Sequence, residues 1–179
     1  GDQVIVPSLF WGNYNLTLAN GYGAELTKFN LFKDSGFDLD AFEKKLNEGE
    51  TGKKILILNF PNNPTGYTPT QSEVDSIVSI LKNSAEKGNK IVAITDDAYF
   101  GLVYEEEIAR ESIFAPLCNI HKNVLAVKVD GATKEDYVWG FRTGFVTYGI
   151  KGGDADLYSS LESKTAGAIR GNISNAANI

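Results

Sequence analysis

One lysine and one arginine stand in a setting that suits chemistry on a phosphorylated carbonyl compound. Lys134 ends a turn of mostly small residues, Asp-Gly-Ala-Thr-Lys, which follows a largely apolar run at 124–129. Arg142 comes eight residues later, between Gly140 and Gly144. The amine of a lysine can attack a carbonyl carbon, and the planar guanidinium of an arginine can hold a phosphate. Because a lysine after a strand is more often a solvated surface charge, this pattern needs support from the rest of the chain.

Polar side chains also follow two other predicted strands. The apolar segment 54–60 leads into a turn that contains Asn63, and the segment 91–97 contains Asp96 and is followed by Tyr99. In open sheets of parallel strands, ligands bind beyond the carboxyl ends of the strands. The alternatives are a plain strand-to-helix loop at Asn63 and a helix cap or turn aspartate at Asp96.

The segment 8–14 is rich in aromatic residues and contains Trp11. One interpretation is a cluster that caps the hydrophobic core. The other is a flat ring offered to a planar ligand, since aromatic faces stack well on other flat rings.

The order of the predicted elements sets the fold class. Buried segments without polar alternation are typical of parallel strands covered on both faces. A helix is predicted to begin at Asp38, and another at Thr70, which forms a capping box with Glu73. The predicted strands lie at 3–7, 26–32, 54–60, 91–97, 124–129 and 144–148.

This alternation predicts an α/β protein of three layers, with a largely parallel sheet and helices on both faces. The chain of 179 residues is expected to form a single domain. Right-handed crossovers place the loops that follow parallel strands on one side of the sheet. We therefore expect Asn63, Asp96 and Lys134 to converge on one crevice.

Composition excludes several classes of function. The formal charge of −6 and the lack of a basic stripe argue against a nucleic-acid partner, and no apolar run is long enough to span a bilayer. One cysteine, Cys118, allows no internal disulfide, which fits a reducing compartment, and a cytoplasmic location is expected. With His121 as the only histidine, a zinc site is not expected, and we predict no metal.

The candidate residues together suit pyridoxal 5′-phosphate. Lys134 supplies an amine for the aldehyde, and Asp96 supplies a carboxylate that keeps the ring nitrogen protonated, so that the ring can withdraw electrons. The other roles are also filled: Asn63 and Tyr99 for the phenolic oxygen, Trp11 for stacking on the ring, and Arg142 with Thr133 for the phosphate.

The chain resembles the large, cofactor-binding domain of class I/II aminotransferases, the fold-type I pyridoxal-phosphate enzymes, and especially the aspartate aminotransferase branch. The resemblance covers essentially the whole chain. Its motifs are Asn63-Pro64-Thr65-Gly66, Asp96-Asp97-Ala98-Tyr99, Lys134 with Arg142, and the segments 1–7 and 11–14.

The resemblance implies a role for each motif residue. Lys134 matches the Schiff-base lysine, which also moves the proton, and Asp96, Asn63, Tyr99, Arg142 and Trp11 match the family's cofactor ligands. Trp11 and Asn63 are also expected to contact the substrate. Arg170 resembles the arginine that binds the substrate's distal carboxylate in the neighbouring subunit's site of aspartate aminotransferases. A surface arginine at a helix end is an equal alternative. The resemblance further implies a homodimer and a cis bond at Asn63–Pro64.

The sequence departs from the family pattern at three positions. Gly131 stands where a phosphate-binding serine is usual, Tyr137 replaces a small residue, and Thr143 replaces an apolar one. The upstream phosphate loop and the C-terminal small domain of the family have no counterpart in this sequence. We therefore expect residues 1–179 to be a fragment of a longer enzyme, with weak activity of their own because substrate-positioning groups are missing.

The expected function is transfer of an amino group between an amino acid and a 2-oxo acid, with a dicarboxylic or an aromatic substrate. One alternative is another fold-type I enzyme, a carbon–sulfur lyase or a decarboxylase. Another is a ligand-sensing, aminotransferase-like domain of a transcription regulator. A plain nucleotide-binding module fits poorly, because no Gly-x-Gly-x-x-Gly motif follows a predicted strand.

Overall fold

A computed structural model describes residues 2–170 of the chain. It contains eight strands and five α-helices, with a π-helix at Asn15–Asn20 and a 3-10 helix at Trp139–Phe141. The strands are β1 Gln3–Pro7, β2 Glu25–Phe29, β3 Phe32–Lys33, β4 Gly36–Phe37, β5 Lys53–Asn59, β6 Lys90–Asp96, β7 Val124–Asp130 and β8 Phe145–Ile150. The helices are α1 Leu39–Leu46, α2 Gln71–Glu86, α3 Phe114–Leu117, α4 Ala132–Glu135 and α5 Ala155–Ile169.

Six strands form the main sheet, in the order β2-β1-β5-β6-β7-β8. All neighbours in this sheet are parallel except β7 and β8, which are antiparallel. In register, Asn59 lies opposite Asp96, and Asp96 lies opposite Val129. The carboxyl ends of β1, β5, β6 and β7 therefore meet at one edge, and β8 begins at that same edge.

Helices cover both faces of the sheet. On one face, α1, α2 and α3 enclose the larger part of the core, in which Phe42, Ile77 and Leu117 are fully buried. Each such side chain contributes about 1.5–3 kcal/mol by leaving water. The opposite face packs against the π-helix and its flanking residues, and a hydrogen bond between Tyr148 and Thr165 joins it to α5. This confirms the predicted α/β fold.

The predicted capping box of α2 is present, and its Glu73 side chain also accepts hydrogen bonds from residues outside the helix. The Glu73 carboxylate accepts hydrogen bonds from the backbone N–H of Thr70 at 2.7 Å and of Phe37 at 2.8 Å, and from the Tyr67 hydroxyl at 2.7 Å. Partial burial disfavours the charge of Glu73, but these hydrogen bonds outweigh that effect and lower its pKa. One side chain thus ties α2 to β4.

Replacing Glu73 with alanine is expected to lower the free energy of unfolding by about 2 kcal/mol at neutral pH, because two backbone N–H groups lose a charged acceptor. Since the pKa of Glu73 is lower in the folded chain, its contribution is complete above about pH 5 and fades as the pH falls through the folded-state pKa. Urea unfolding at several pH values measures this. Glu86→Ala, at an exposed position of the same helix, is the control; equal effects of the two variants would contradict the prediction.

The strand boundaries agree with the sequence prediction to within about two residues, except at the end of one strand. The predicted strand at 26–32 ends at Phe29, because the chain then turns and the Leu31 N–H donates to the Ser8 hydroxyl. The Asn63–Pro64 bond is cis, as the family resemblance implies, and the Phe60–Pro61 bond is cis as well. None of the helices described in residues 2–170 is long and apolar enough to cross a membrane.

Candidate active site

A cleft of about 600 Å³ opens at the carboxyl edge of the sheet. It forms there because β5, β6 and β7 end side by side, while the chain returns through the corner before β8. Its lining comprises Trp11, Asn59, Asn63, Asp96, Ala98, Tyr99, Val129, Asp130, Gly131, Thr133, Lys134, Arg142, Thr143 and Gly144.

The cleft brings together seven of the eight residues that the sequence singled out. Those seven are Trp11, Asn63, Asp96, Tyr99, Thr133, Lys134 and Arg142. Arg170 follows α5, is exposed, and does not line the cleft. Convergence of residues from four separate segments follows from the parallel sheet, since each segment continues from a strand, β1, β5, β6 or β7, that ends at this edge.

Asp96 is held in place by its neighbours on three elements. Its carboxylate accepts a hydrogen bond from the Tyr14 hydroxyl and another, at 3.1 Å, from the Ala98 N–H. The Asn59 amide donates to the Asp96 carbonyl oxygen at 2.8 Å. The contact with Ala98 is that of a turn aspartate, so Asp96 shapes the loop and also presents a fixed carboxylate to the cleft.

Tyr14 connects the aromatic loop to this carboxylate. Its side chain is only 7% exposed, and its ring lies edge-on to the Trp11 ring with centroids 5.7 Å apart. Burial first, and then the charge of Asp96, raise the pKa of Tyr14, so the phenol stays protonated and can donate. Trp11 is 40% exposed and lines the cleft. Both interpretations of segment 8–14 therefore hold in part: Tyr14 packs in the core and Trp11 faces the cleft.

Asn63, Tyr99 and Lys134 lie close together in the cleft. The Asn63 amide donates to the Tyr99 hydroxyl at 3.3 Å, and the Lys134 Nζ lies 4.4 Å from the centroid of the Tyr99 ring. Asn63 is held in place, because its backbone N–H donates to the side-chain oxygen of Asn59 at 2.8 Å. An amide, a phenol and an amine thus point toward a common space.

The two cations of the cleft are available to an anion. Within residues 2–170, neither Lys134 nor Arg142 has a carboxylate oxygen within 4.0 Å. Arg142 sits in the left-handed region with φ of 54°, an uncommon conformation for a residue other than glycine that recurs at functional sites. Its side chain is exposed and makes one long hydrogen bond, 3.4 Å to the Trp139 carbonyl oxygen.

Sequence reasoning missed three residues that shape the site. Asn59 bridges Asp96 and Asn63, Tyr14 supports Asp96, and Asp130 lines the cleft beside Gly131. The signals were present, since Asn59 ends a buried strand, Tyr14 lies in the aromatic segment, and Asp130 begins the turn before Lys134. Their partners became visible only with the register of the strands.

The donor set fits a planar anionic ligand with a basic ring nitrogen. One fixed carboxylate, Asp96, lies in the same cleft as two cations, Lys134 and Arg142, that have no carboxylate partner among the described residues. Trp11 supplies a partly exposed ring, and Asn63 with Tyr99 supplies polar groups for an oxygen on the ring. These are the groups that pyridoxal phosphate requires.

Comparison with known sequences supports this chemistry. The profile of the family aminotransferase class I and II matches residues 1–165. An asparagine–oxo-acid transaminase of Streptococcus mutans is 28% identical, over 98% of this chain and 41% of its own length. A probable aspartate/prephenate aminotransferase of Aquifex aeolicus is 31% identical, over 82% of this chain and 34% of its own length.

Comparison with solved structures agrees. An aminotransferase of Anaerococcus prevotii superposes with a TM-score of 0.82 at 26% identity, over 95% of this chain and 42% of that one. An aromatic-amino-acid aminotransferase of Burkholderia pseudomallei, described as covalently bound to pyridoxal phosphate, shares the fold with a TM-score of 0.71 at 22% identity. The present chain spans less than half the length of these curated relatives and of the aspartate aminotransferases that it also matches.

Proposed function

The chain belongs to the aminotransferase class I and II family, and from that premise we propose that residues 1–179 form the cofactor-binding large domain of a pyridoxal-phosphate-dependent aminotransferase. The whole enzyme would transfer an amino group between an amino acid and a 2-oxo acid. The observation that carries this proposal is the single cleft that collects Asp96, Lys134 and Arg142. Relatives named as transaminases support it.

The cofactor would be held by groups whose chemistry matches its own. Asp96 pairs with the ring nitrogen, Trp11 stacks on the ring, and Asn63 with Tyr99 binds the phenolic oxygen. Arg142 and Thr133 bind the phosphate. When bound, pyridoxal phosphate supplies a reactive carbonyl carbon and an electron-withdrawing ring.

The residues of the chain would supply positioning and proton transfer. Lys134 Nζ would hold the cofactor through its carbonyl group while no substrate is bound, and as a free amine it would take a proton from the substrate Cα. Tyr99 lies against Lys134, with its ring 4.4 Å from Nζ, and keeps that amine directed into the cleft. Asp96, fixed by Tyr14 and Ala98, would hold its carboxylate beside the ring nitrogen.

We further propose the assembly and substrate class of the whole enzyme. Relatives named as aspartate, asparagine and aspartate/prephenate transaminases favour a dicarboxylic or aromatic amino acid. Arg170 lies at the exposed end of α5, outside this cleft, which is compatible with a role in the cleft of a second subunit. A homodimer in the cytoplasm is the expected state. Residues 1–179 alone are expected to turn over slowly, because they amount to less than half of the relatives' length.

Product analysis of the full-length protein tests the proposed reaction. Aspartate, asparagine, alanine and phenylalanine are each supplied with and without 2-oxoglutarate. We expect formation of glutamate and the matching 2-oxo acid only when both partners are present. Release of ammonia or carbon dioxide without the oxo acid would instead indicate a lyase or a decarboxylase and would contradict the proposal.

A further inference from the structure

A second group of charged residues, Lys128, Asp97 and Asp130, adjoins the cleft through Asp130. Lys128, on β7, is the polar residue that interrupts an otherwise apolar strand core. Its Nζ lies 2.7 Å from Asp130 Oδ2 and 3.6 Å from Asp97 Oδ2. One ammonium group is thus shared by two carboxylates. None of the cofactor roles discussed above uses Lys128 or Asp97.

Asp97 is a buried carboxylate with this lysine as its nearest cation among the described residues. Its side chain is 3% exposed, and among the described residues its Oδ2 atom has no hydrogen-bond partner. Burial raises the pKa of Asp97, while the Ser112 side chain and then the charge of Lys128 oppose that shift. A buried carboxylate without a cation nearby costs several kcal/mol.

Lys128 is held in a fixed position. Its Nζ lies 5.0 Å from the centroid of the Phe100 ring, in addition to its two carboxylate partners. Partial burial disfavours its charge, but the hydrogen bond and charge of Asp130, with the charge of Asp97, outweigh that effect and raise its pKa. Lys128 is therefore charged across the physiological pH range.

Asp130 is the member of the group that reaches the cleft. It begins the turn that carries Thr133 and Lys134, and its Oδ1 atom accepts the Gly131 N–H at 2.7 Å. The turn packs against the corner that carries Arg142, because a Cβ on Gly131 would stand 2.9 Å from the Thr143 carbonyl oxygen. An acid therefore lines the same cleft as the residues proposed to hold a phosphate.

We propose that Lys128 is a positioning residue for phosphate binding: it neutralises Asp130 and holds that carboxylate against the turn. The inference rests on the proposed function. Without Lys128, the Asp130 charge would repel the phosphate and compete with it for Arg142 and Lys134. Lys128 itself does not line the cleft. Its effect should therefore concern the phosphate group alone.

Binding of pyridoxal phosphate and of pyridoxal, which lacks the phosphate, separates this role from a general structural one. Both compounds present the same aldehyde to Lys134, and absorbance titration of the full-length apoprotein measures both dissociation constants. In Lys128→Met, pyridoxal phosphate should bind at least about tenfold more weakly, while pyridoxal binding changes by less than about twofold. Lys128→Arg keeps the charge and should retain the affinity for pyridoxal phosphate.

A second substitution identifies Asp130 as the cause. Adding Asp130→Asn to Lys128→Met should restore the binding of pyridoxal phosphate, because the opposing charge is gone. Lys122→Met, at an exposed position just before the same strand, is the control and should change neither constant. If Lys128→Met fails to fold, the series is repeated in an Asp97→Asn background. The second substitution removes the buried Asp97 charge, which Lys128→Met would leave without its lysine.

The outcomes distinguish this inference from the function on which it rests. Equal effects on both compounds, or no rescue by Asp130→Asn, would overturn the role of Lys128 while leaving the proposed function intact. A wild-type apoprotein that fails to bind pyridoxal phosphate would overturn both. Selective loss with rescue supports the inference.

Discussion

Replacing Lys134 with alanine is expected to lower kcat for amino-group transfer by at least about 10⁴-fold in the full-length enzyme. The substitution removes both the amine that binds the carbonyl carbon and the base that moves the substrate proton, and proton transfer alone contributes about 10²–10⁴-fold. The fold should persist, because Lys134 is partly exposed and its ammonium group lies over the face of the Tyr99 ring. Steady-state and single-turnover kinetics measure the loss.

Lys134→Arg separates the charge of the residue from its chemistry. Arginine keeps the positive charge but stays protonated, so it can neither attack a carbonyl nor accept a proton. We expect it to be about as inactive as the alanine variant. Lys164→Ala, at an exposed position of α5, is the control and should be fully active. Activity of Lys134→Ala within tenfold of wild type would contradict the assigned role.

Replacing Asp96 with asparagine is expected to lower kcat by about 10²–10³-fold at neutral pH, the usual effect of removing one preorganised electrostatic partner. Asparagine has nearly the same shape: its side-chain oxygen can accept from the Ala98 N–H while its NH2 group donates to the Tyr14 hydroxyl oxygen, so the loop should keep its form. Only the negative charge beside the ring nitrogen is lost. The measurement is kcat as a function of pH.

The pH profile gives the sign of the effect. A carboxylate raises the pKa of a basic partner, so without it the ring nitrogen loses its proton at a lower pH. The deficit of Asp96→Asn should therefore shrink as the pH falls and the nitrogen becomes protonated from solution. Tyr14→Phe keeps the carboxylate and should lose less than about tenfold. A deficit that stays constant with pH would show that Asp96 acts through its shape and not through its charge.

The position of the cleft was predictable because a simple rule governs it. Parallel strands joined by right-handed crossovers end at one edge, so Asn63, Asp96 and Lys134 could be expected to meet there. The structure places all three in one cleft. The capping box at Thr70 and Glu73 was predictable for a similar reason, since the required spacing is local.

The supporting contacts were not predictable, because they join residues far apart in the chain. Tyr14 and Asp96 are 82 positions apart in the chain. An aromatic-rich segment does not reveal which tyrosine hydroxyl will donate to which carboxylate. Lys128 was visible as a break in an apolar strand, but its two carboxylate partners depend on how β6 and β7 align. Antiparallel pairing of β8 was equally hidden, since a short apolar run does not reveal its direction.

The central claim is that Lys134 is the residue that binds pyridoxal phosphate covalently. The most direct test is an absorbance scan of the full-length protein with added pyridoxal phosphate, followed by borohydride reduction, proteolysis and mass spectrometry of the peptides. We expect a visible absorbance band and a reduced pyridoxyl label on Lys134. A label on another lysine, or no label on a protein that is folded and saturated with the cofactor, would contradict the claim.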